Sequence, residues 1–164
     1  MDQTWIVMQV PNFQHLLAQV LKGEKIALDL WNQYHQLDLF SKEELTATRK
    51  KIDFALQTNA HDSHALTLRG YMYHVGQDEQ QDIEKAMSFY KEAVALKNIT
   101  AMSNLGTIYH YSEGSRQNYA AAIAIYDEAI LLGDATAMNY PVQIIVEHAN
   151  FITSLIVSTK ILMP

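Results

Sequence analysis

Slid against itself by 36 residues, the chain falls into register over two consecutive blocks, 65–100 on 101–136. Eleven aligned positions are identical: Ala65/Ala101, Gly70/Gly106, Tyr73/Tyr109, His74/His110, Gln81/Gln117, Ala86/Ala122, Tyr90/Tyr126, Glu92/Glu128, Ala93/Ala129, Leu96/Leu132 and Thr100/Thr136. A repeat of this length constrains the fold strongly. Each copy has to be one small supersecondary unit whose apolar face is buried by stacking on its neighbours.

Within each block the apolar residues keep helical spacing. Ala86, Phe89, Tyr90, Ala93 and Ala122, Ile125, Tyr126, Ala129 follow i, i+3, i+4, i+7, which is one face of a helix. Upstream, Ala65, Leu66, Met72 and Tyr73 belong to a shorter helix, separated from the next by the polar stretch 76–82. Asp82 and Asn118 stand where an N-cap oxygen receives free backbone N–H groups, and Gly133 suits the left-handed residue that ends a helix. Each block therefore reads as a helical hairpin. Gly70 is placed at the level of Ala86 or Ala93, so that two backbones approach closely while Tyr73 and Tyr90 fill the wider gaps. All four repeat tyrosines read as packing residues.

The flanks are more diverged. A shift of 38 sets Ala27, Leu28, Leu30 and Ala55 on Ala65, Leu66, Leu68 and Ala93, so 24–64 is expected to be a degenerate hairpin, with Asn32 where the glycine belongs. Its second helix opens on a capping box, Ser41 with Glu44. Within 1–23, Phe13, Leu16, Leu17, Val20 and Leu21 share one face of an N-terminal capping helix. At the other end Pro141 and Val142 occupy the Leu-Gly positions of a third block, and 137–164 is expected to be a divergent apolar C-terminal helix starting or kinking near Pro141. Three readings of that segment stand side by side: a cap, a homodimer or partner interface through Phe151, Ile152, Leu155 and Ile156, and a membrane anchor. Glu147, His148 and Asn150 weigh against the last, because buried charge and polarity are costly in lipid.

The segments LGTIYHYSEG, EKAMSFYKEA and AAIAIYDEA resemble the Sel-one-like repeat family, a branch of the tetratricopeptide superfamily. Tetratricopeptide units run 34 residues, whereas the period here is 36. Arg69 in place of a leucine, Asp78 in place of a glycine, and Phe89 and Ile125 in place of tryptophan depart from the family pattern. The resemblance implies an all-α, right-handed α-α superhelix, a solenoid of antiparallel helical hairpins forming a single helical-repeat domain. It further implies a concave face lined by first helices, here Thr67, Tyr71 and His74 with Ser103, Thr107 and His110, extended by Asp29, Gln33 and Gln36. The role implied is a scaffold or adaptor for a protein or peptide partner. Family members serve in signalling, in membrane-protein quality control and in bacterial contact with host or envelope partners.

Charge and composition remove several other classes. A net charge of −6 argues against nucleic acid as a partner, since that affinity rests on clustered Lys and Arg. The basic run Arg49-Lys50-Lys51 reads as a solvated helix face. With no cysteine, disulfides, thiolate zinc sites and a cysteine nucleophile are excluded. The start MDQTWIVMQVP lacks the basic residues of an ordinary signal peptide, so a cytoplasmic location is expected and secretion by another route stays open.

No GxSxG, P-loop, HExxH or nucleotide fingerprint is present. The chain is therefore expected not to be an enzyme and to hold no cofactor. The rival reading is a metal-dependent enzyme, or an enzyme's regulatory domain, using His61 and His64 with Asp62 between them. Its plain alternative is a solvated turn with Asp62 or Ser63 as N-cap. His74 and His110 better suit a polar ladder than one metal. Adjacent stacked helices lie about 8–10 Å apart, whereas zinc needs each nitrogen at about 2.0–2.1 Å.

Overall fold

A computed structural model of the chain describes residues 13–24, 27, 30, 31, 33, 39–112, 117–134 and 137. Among the described residues the fold is all-α. Six helices follow one another: α1 Phe13–Leu21, α2 Lys42–Thr58, α3 Ser63–Val75, α4 Ile83–Ala95, α5 Ile99–Tyr111 and α6 Tyr119–Leu131. The chain divides between Leu96 and Lys97 into two compact units, the first holding α1 to α4 and the second α5 and α6. The helix expected over 137–164, with its interface candidates Phe151, Ile152, Leu155 and Ile156, lies outside the described residues except at Ala137.

In the first unit α1 buries Leu16, Leu17 and Val20 against Ala27, Trp31, Phe40, Ile52, Ala65, Leu68 and Met72. Three aromatics anchor this core. Trp31 lies 4.4 Å from Phe40 and 5.9 Å from Phe13, centroid to centroid, and Phe13 meets Phe40 edge-on at 5.8 Å. α2 begins as its sequence dictates. The Glu44 N–H donates to Ser41 Oγ at 3.2 Å, and the Ser41 N–H donates to Glu44 Oε2 at 2.9 Å.

The hairpins α3–α4 and α5–α6 repeat down to individual hydrogen bonds. The Asp82 N–H donates to the Tyr73 carbonyl at 3.0 Å, and 36 residues on the Asn118 N–H donates to the Tyr109 carbonyl at 2.8 Å. Gln81 Nε2 reaches the His74 carbonyl at 2.7 Å, as Gln117 Nε2 reaches the His110 carbonyl at 3.4 Å. Asp82 and Asn118 then cap α4 and α6 through the Lys85 and Ala121 N–H groups. The first helices are capped in the same register by Asp62 and Asn98. Both second helices end at a leucine, Leu96 or Leu132, followed by a left-handed residue. That residue is Gly133 with φ 99° in one copy and Lys97 with φ 61° in the other.

The close approach at Gly70 falls at the level of Ala86, as expected, but Tyr90 lies in it rather than in a wider gap. A Cβ at Gly70 would lie 2.8 Å from the Tyr90 ring and 3.2 Å from the Ala86 carbonyl oxygen. At Gly106 a Cβ would lie 2.5 Å from the Tyr126 ring. Both tyrosines are fully buried, so the ring needs the space that a missing side chain leaves. Tyr73 does pack as a spacer, stacked on Phe89 at 5.8 Å and 13°.

Overpacking a filled core typically costs about 1–3 kcal/mol, against a helix-propensity gain of roughly 1 kcal/mol for Gly→Ala. Gly106→Ala is therefore expected to lower the urea midpoint, and in a Tyr126→Leu background the same change is expected to be neutral or stabilising. An unchanged midpoint in the Tyr126 protein would contradict the contact.

Candidate functional site

On α3, Thr67 is buried and its hydroxyl donates to the Ser63 carbonyl at 2.6 Å. Tyr71 is half-buried against the unit's core, and burial pushes its hydroxyl up to about 12. His74 is half-buried, with its ring edge-on to Tyr90 at 6.1 Å, and burial lowers its pKa below the ordinary imidazole value. Tyr71 and His74 thus share one face of α3 and keep partial access to solvent.

On α5, Ser103 Oγ donates to Asp134 Oδ2 at 2.8 Å, and the Thr107 hydroxyl donates to the Ser103 carbonyl at 2.9 Å and lies 3.4 Å from the Tyr126 hydroxyl. His110 is only 2% exposed, stacked on Tyr111 at 4.0 Å and edge-on to Tyr119 at 6.0 Å. The twin histidines therefore share backbone surroundings but not side-chain surroundings. The cause is local: Tyr111 and Tyr119 stand where the first copy has Val75 and Ile83. Two members of the expected polar row, Thr67 and His110, turn inward rather than to solvent. Gln33 is exposed, and Asp29 and Gln36 lie outside the described residues.

The pair proposed for metal is separated by function. His61 is exposed, with its N–H on Asn59 Oδ1. The His64 ring fills the position that a side chain at Gly23 would take, so it serves the junction between α1 and α3. Asp62 caps α3, its Oδ1 accepting from the His64 and Ala65 N–H groups at 3.1 and 3.0 Å. Among the described residues no three His, Asp or Glu side chains are grouped to hold a metal ion. Among them, too, no helix is long and apolar enough to cross a membrane.

Sequence reading missed a charge cluster in the first unit. Arg49, expected on a solvated face, donates through Nε to Asp78 Oδ2 at 2.8 Å. Asp78 Oδ1 accepts from the Thr46 hydroxyl at 2.7 Å. Arg69 is 6% exposed and pairs with Asp53 at 3.1 Å and Glu79 at 3.2 Å, its guanidinium lying 4.5 Å from the Tyr73 ring centre. The Arg49 hydrogen bond holds Asp78 below the usual carboxylate range despite burial. For Glu79, burial pushes upward, but hydrogen bonds from Arg69 and Tyr73 outweigh it and the net shift is down. The signal was present: a charge at Arg69 where the twin is Leu105 has to find counter-charges. Lys51 of the same basic run hydrogen-bonds the Gln14 side chain, and Lys50 is exposed.

The family model of the Sel1 repeat matches residues 63–98 and 99–134. These two hairpins are Sel1 repeats. Their boundaries fall at the starts of α3 and α5, two residues ahead of the blocks found by self-comparison, and the period is the same. A Sel1 repeat protein from Oxalobacter formigenes is similar at 26% identity and a TM-score of 0.54, over 65% of this chain and 46% of that one. This chain thus spans about half of that relative's length. Helicobacter pylori cysteine rich protein B is similar at 18% identity and a TM-score of 0.49, over 77% of this chain and 90% of that one. No curated protein matches the sequence.

Burial favours the neutral form of His74, so its native pKa lies below the 6.5 of a free imidazole. The stability it contributes is complete above pH 6.5 and is lost as pH falls from there through the lowered native value, because the unfolded chain takes up the proton first. NMR titration is expected to give a His74 midpoint under 6.5, and His74→Gln to remove that part of the acid slope. A midpoint at or above 6.5 would contradict the burial.

Proposed function

We propose that the chain is a protein-interaction scaffold whose Sel1 hairpins present their first helices to a protein or peptide partner. Sel1 repeat proteins generally act as such scaffolds, and the two matched repeats are the observation that carries the reading. On α3 the contact falls to Tyr71 and His74, which combine partly exposed aromatic surface with hydrogen-bonding atoms. Aromatic groups of this kind supply much of the binding energy at protein interfaces. On α5 the contact falls to Ser103 and Thr107, which are half-buried and polar. A peptide laid on such helices exchanges water for these side chains without demanding a deep cavity.

Peptides selected by display on the purified chain test this. His74→Phe and Tyr71→Phe remove hydrogen-bonding atoms while keeping an aromatic ring, and each is expected to weaken a selected peptide several-fold, the effect of about 1 kcal/mol per hydrogen bond. Thermal melting should show the variants folded. A selection that yields no binder, or binders indifferent to both changes, would contradict the scaffold reading on this face.

A further inference from the structure

The charge cluster of the first unit has no part in the scaffold surface, yet it joins three pieces of chain. α2 contributes Thr46, Arg49 and Asp53, α3 contributes Arg69 and Tyr73, and the α3–α4 bend contributes Asp78 and Glu79. Asp78 is the keystone. Its side chain is 5% exposed, both carboxylate oxygens bond α2 side chains, and its backbone is left-handed with φ 58°. Few L-residues visit that conformation and aspartate does so more readily than most, so backbone and side-chain bonds agree on one shape of the bend. Arg69 Nη1 and Glu79 Oε2 are buried without a hydrogen-bond partner, which leaves the cluster short of full satisfaction. Beside the bend an open depression is lined by Phe40, Lys42 and Leu45 together with Gly76, Asp78 and Glu79.

We propose that this cluster is an acid-sensitive latch, in which ionised Asp78 fastens the bend 76–82 of the first Sel1 repeat onto α2 and its protonation frees the bend beside Phe40 and Leu45. The bend also touches His74, whose carbonyl accepts from Gln81 at 2.7 Å and whose imidazole gains a proton in acid. Arg49 and Lys42 on α2, Arg69 on α3 and Lys85 on α4 face the cluster as cations, and Tyr73 stays neutral. Of the carboxylates, Asp78, Glu79 and the α4 cap Asp82 are held low by hydrogen bonds, and Asp53 pairs with Arg69. The native shifts of Asp78 and Glu79 are downward, so the fastening is complete above the ordinary carboxylate range and is lost as pH falls through the lowered values. Protonated, Asp78 turns one acceptor oxygen into a donor that faces Arg49 or Thr46, both of which donate to it.

Hydrogen exchange of the intact chain, normalised to intrinsic rates, tests the latch in two ways. In Asp78→Asn at about pH 7, and separately in the unaltered chain at about pH 3, amides of 76–82 are expected to lose protection at least tenfold, the factor of one charge-assisted hydrogen bond. Amides of α6 should keep theirs in both. Should Asp78→Asn fail to fold, His74→Gln in acid, which removes the imidazole of the residue bonded to the bend through its carbonyl, decides in its place. Protection of the bend that persists in acid overturns the proposal, as does a loss in which α6 falls in step with it.

Discussion

A tyrosine ring seated on a glycine closes each Sel1 hairpin of this chain, and the rest of the repeat is arranged around that contact. Tyr90 on Gly70 and Tyr126 on Gly106 leave no space for a methyl group, so the distance between paired helices is set by an absent side chain. Once that distance is set, the chain between the helices has few ways to return. The carbonyls of Tyr73 and Tyr109 are met by the N–H groups of Asp82 and Asn118, whose side chains in turn open the second helices. Packing and capping thus specify one geometry together, which is the consistency that gives a sequence a single fold.

The two copies are equal in backbone and unequal in what they carry. In the second copy an apolar Leu105 sits where the first has Arg69, and the first copy answers with ion pairs to Asp53 and Glu79. Only Arg69 is buried in these pairs, while both carboxylates keep partial access to water; the costly change is therefore one that leaves the guanidinium without its partners. The first repeat is consequently tied to α2 by charge. The second copy spends its variation differently, enclosing His110 between Tyr111 and Tyr119.

Local chemistry was the legible part of the sequence. Ser41 with Glu44, Asp62, Asp82, Asn118 and Gly133 all act through backbone groups within about four residues, so their types and spacing suffice to place helix ends. The 36-residue period was equally open, since it needs only letters compared with letters. Less legible were contacts between residues far apart in the chain: Trp31 with Phe40 and Phe13, Arg49 with Asp78, and His64 against Gly23. His110 shows the limit of arguing from a twin. Position in the repeat fixes where its backbone lies, but the neighbours at 111 and 119 decide whether its ring meets water. Lys97 and Asp78 make the same point in reverse, taking left-handed backbone that their letters do not announce.

Residues 36 apart occupy the same backbone place in successive hairpins. Scalar couplings across hydrogen bonds measure this directly by NMR, between the Asp82 amide nitrogen and the Tyr73 carbonyl carbon, and between the Asn118 nitrogen and the Tyr109 carbon. Both couplings should be present together in the folded chain. One without the other, or neither in a protein that is otherwise helical, would mean that the matching letters do not mark matching structure.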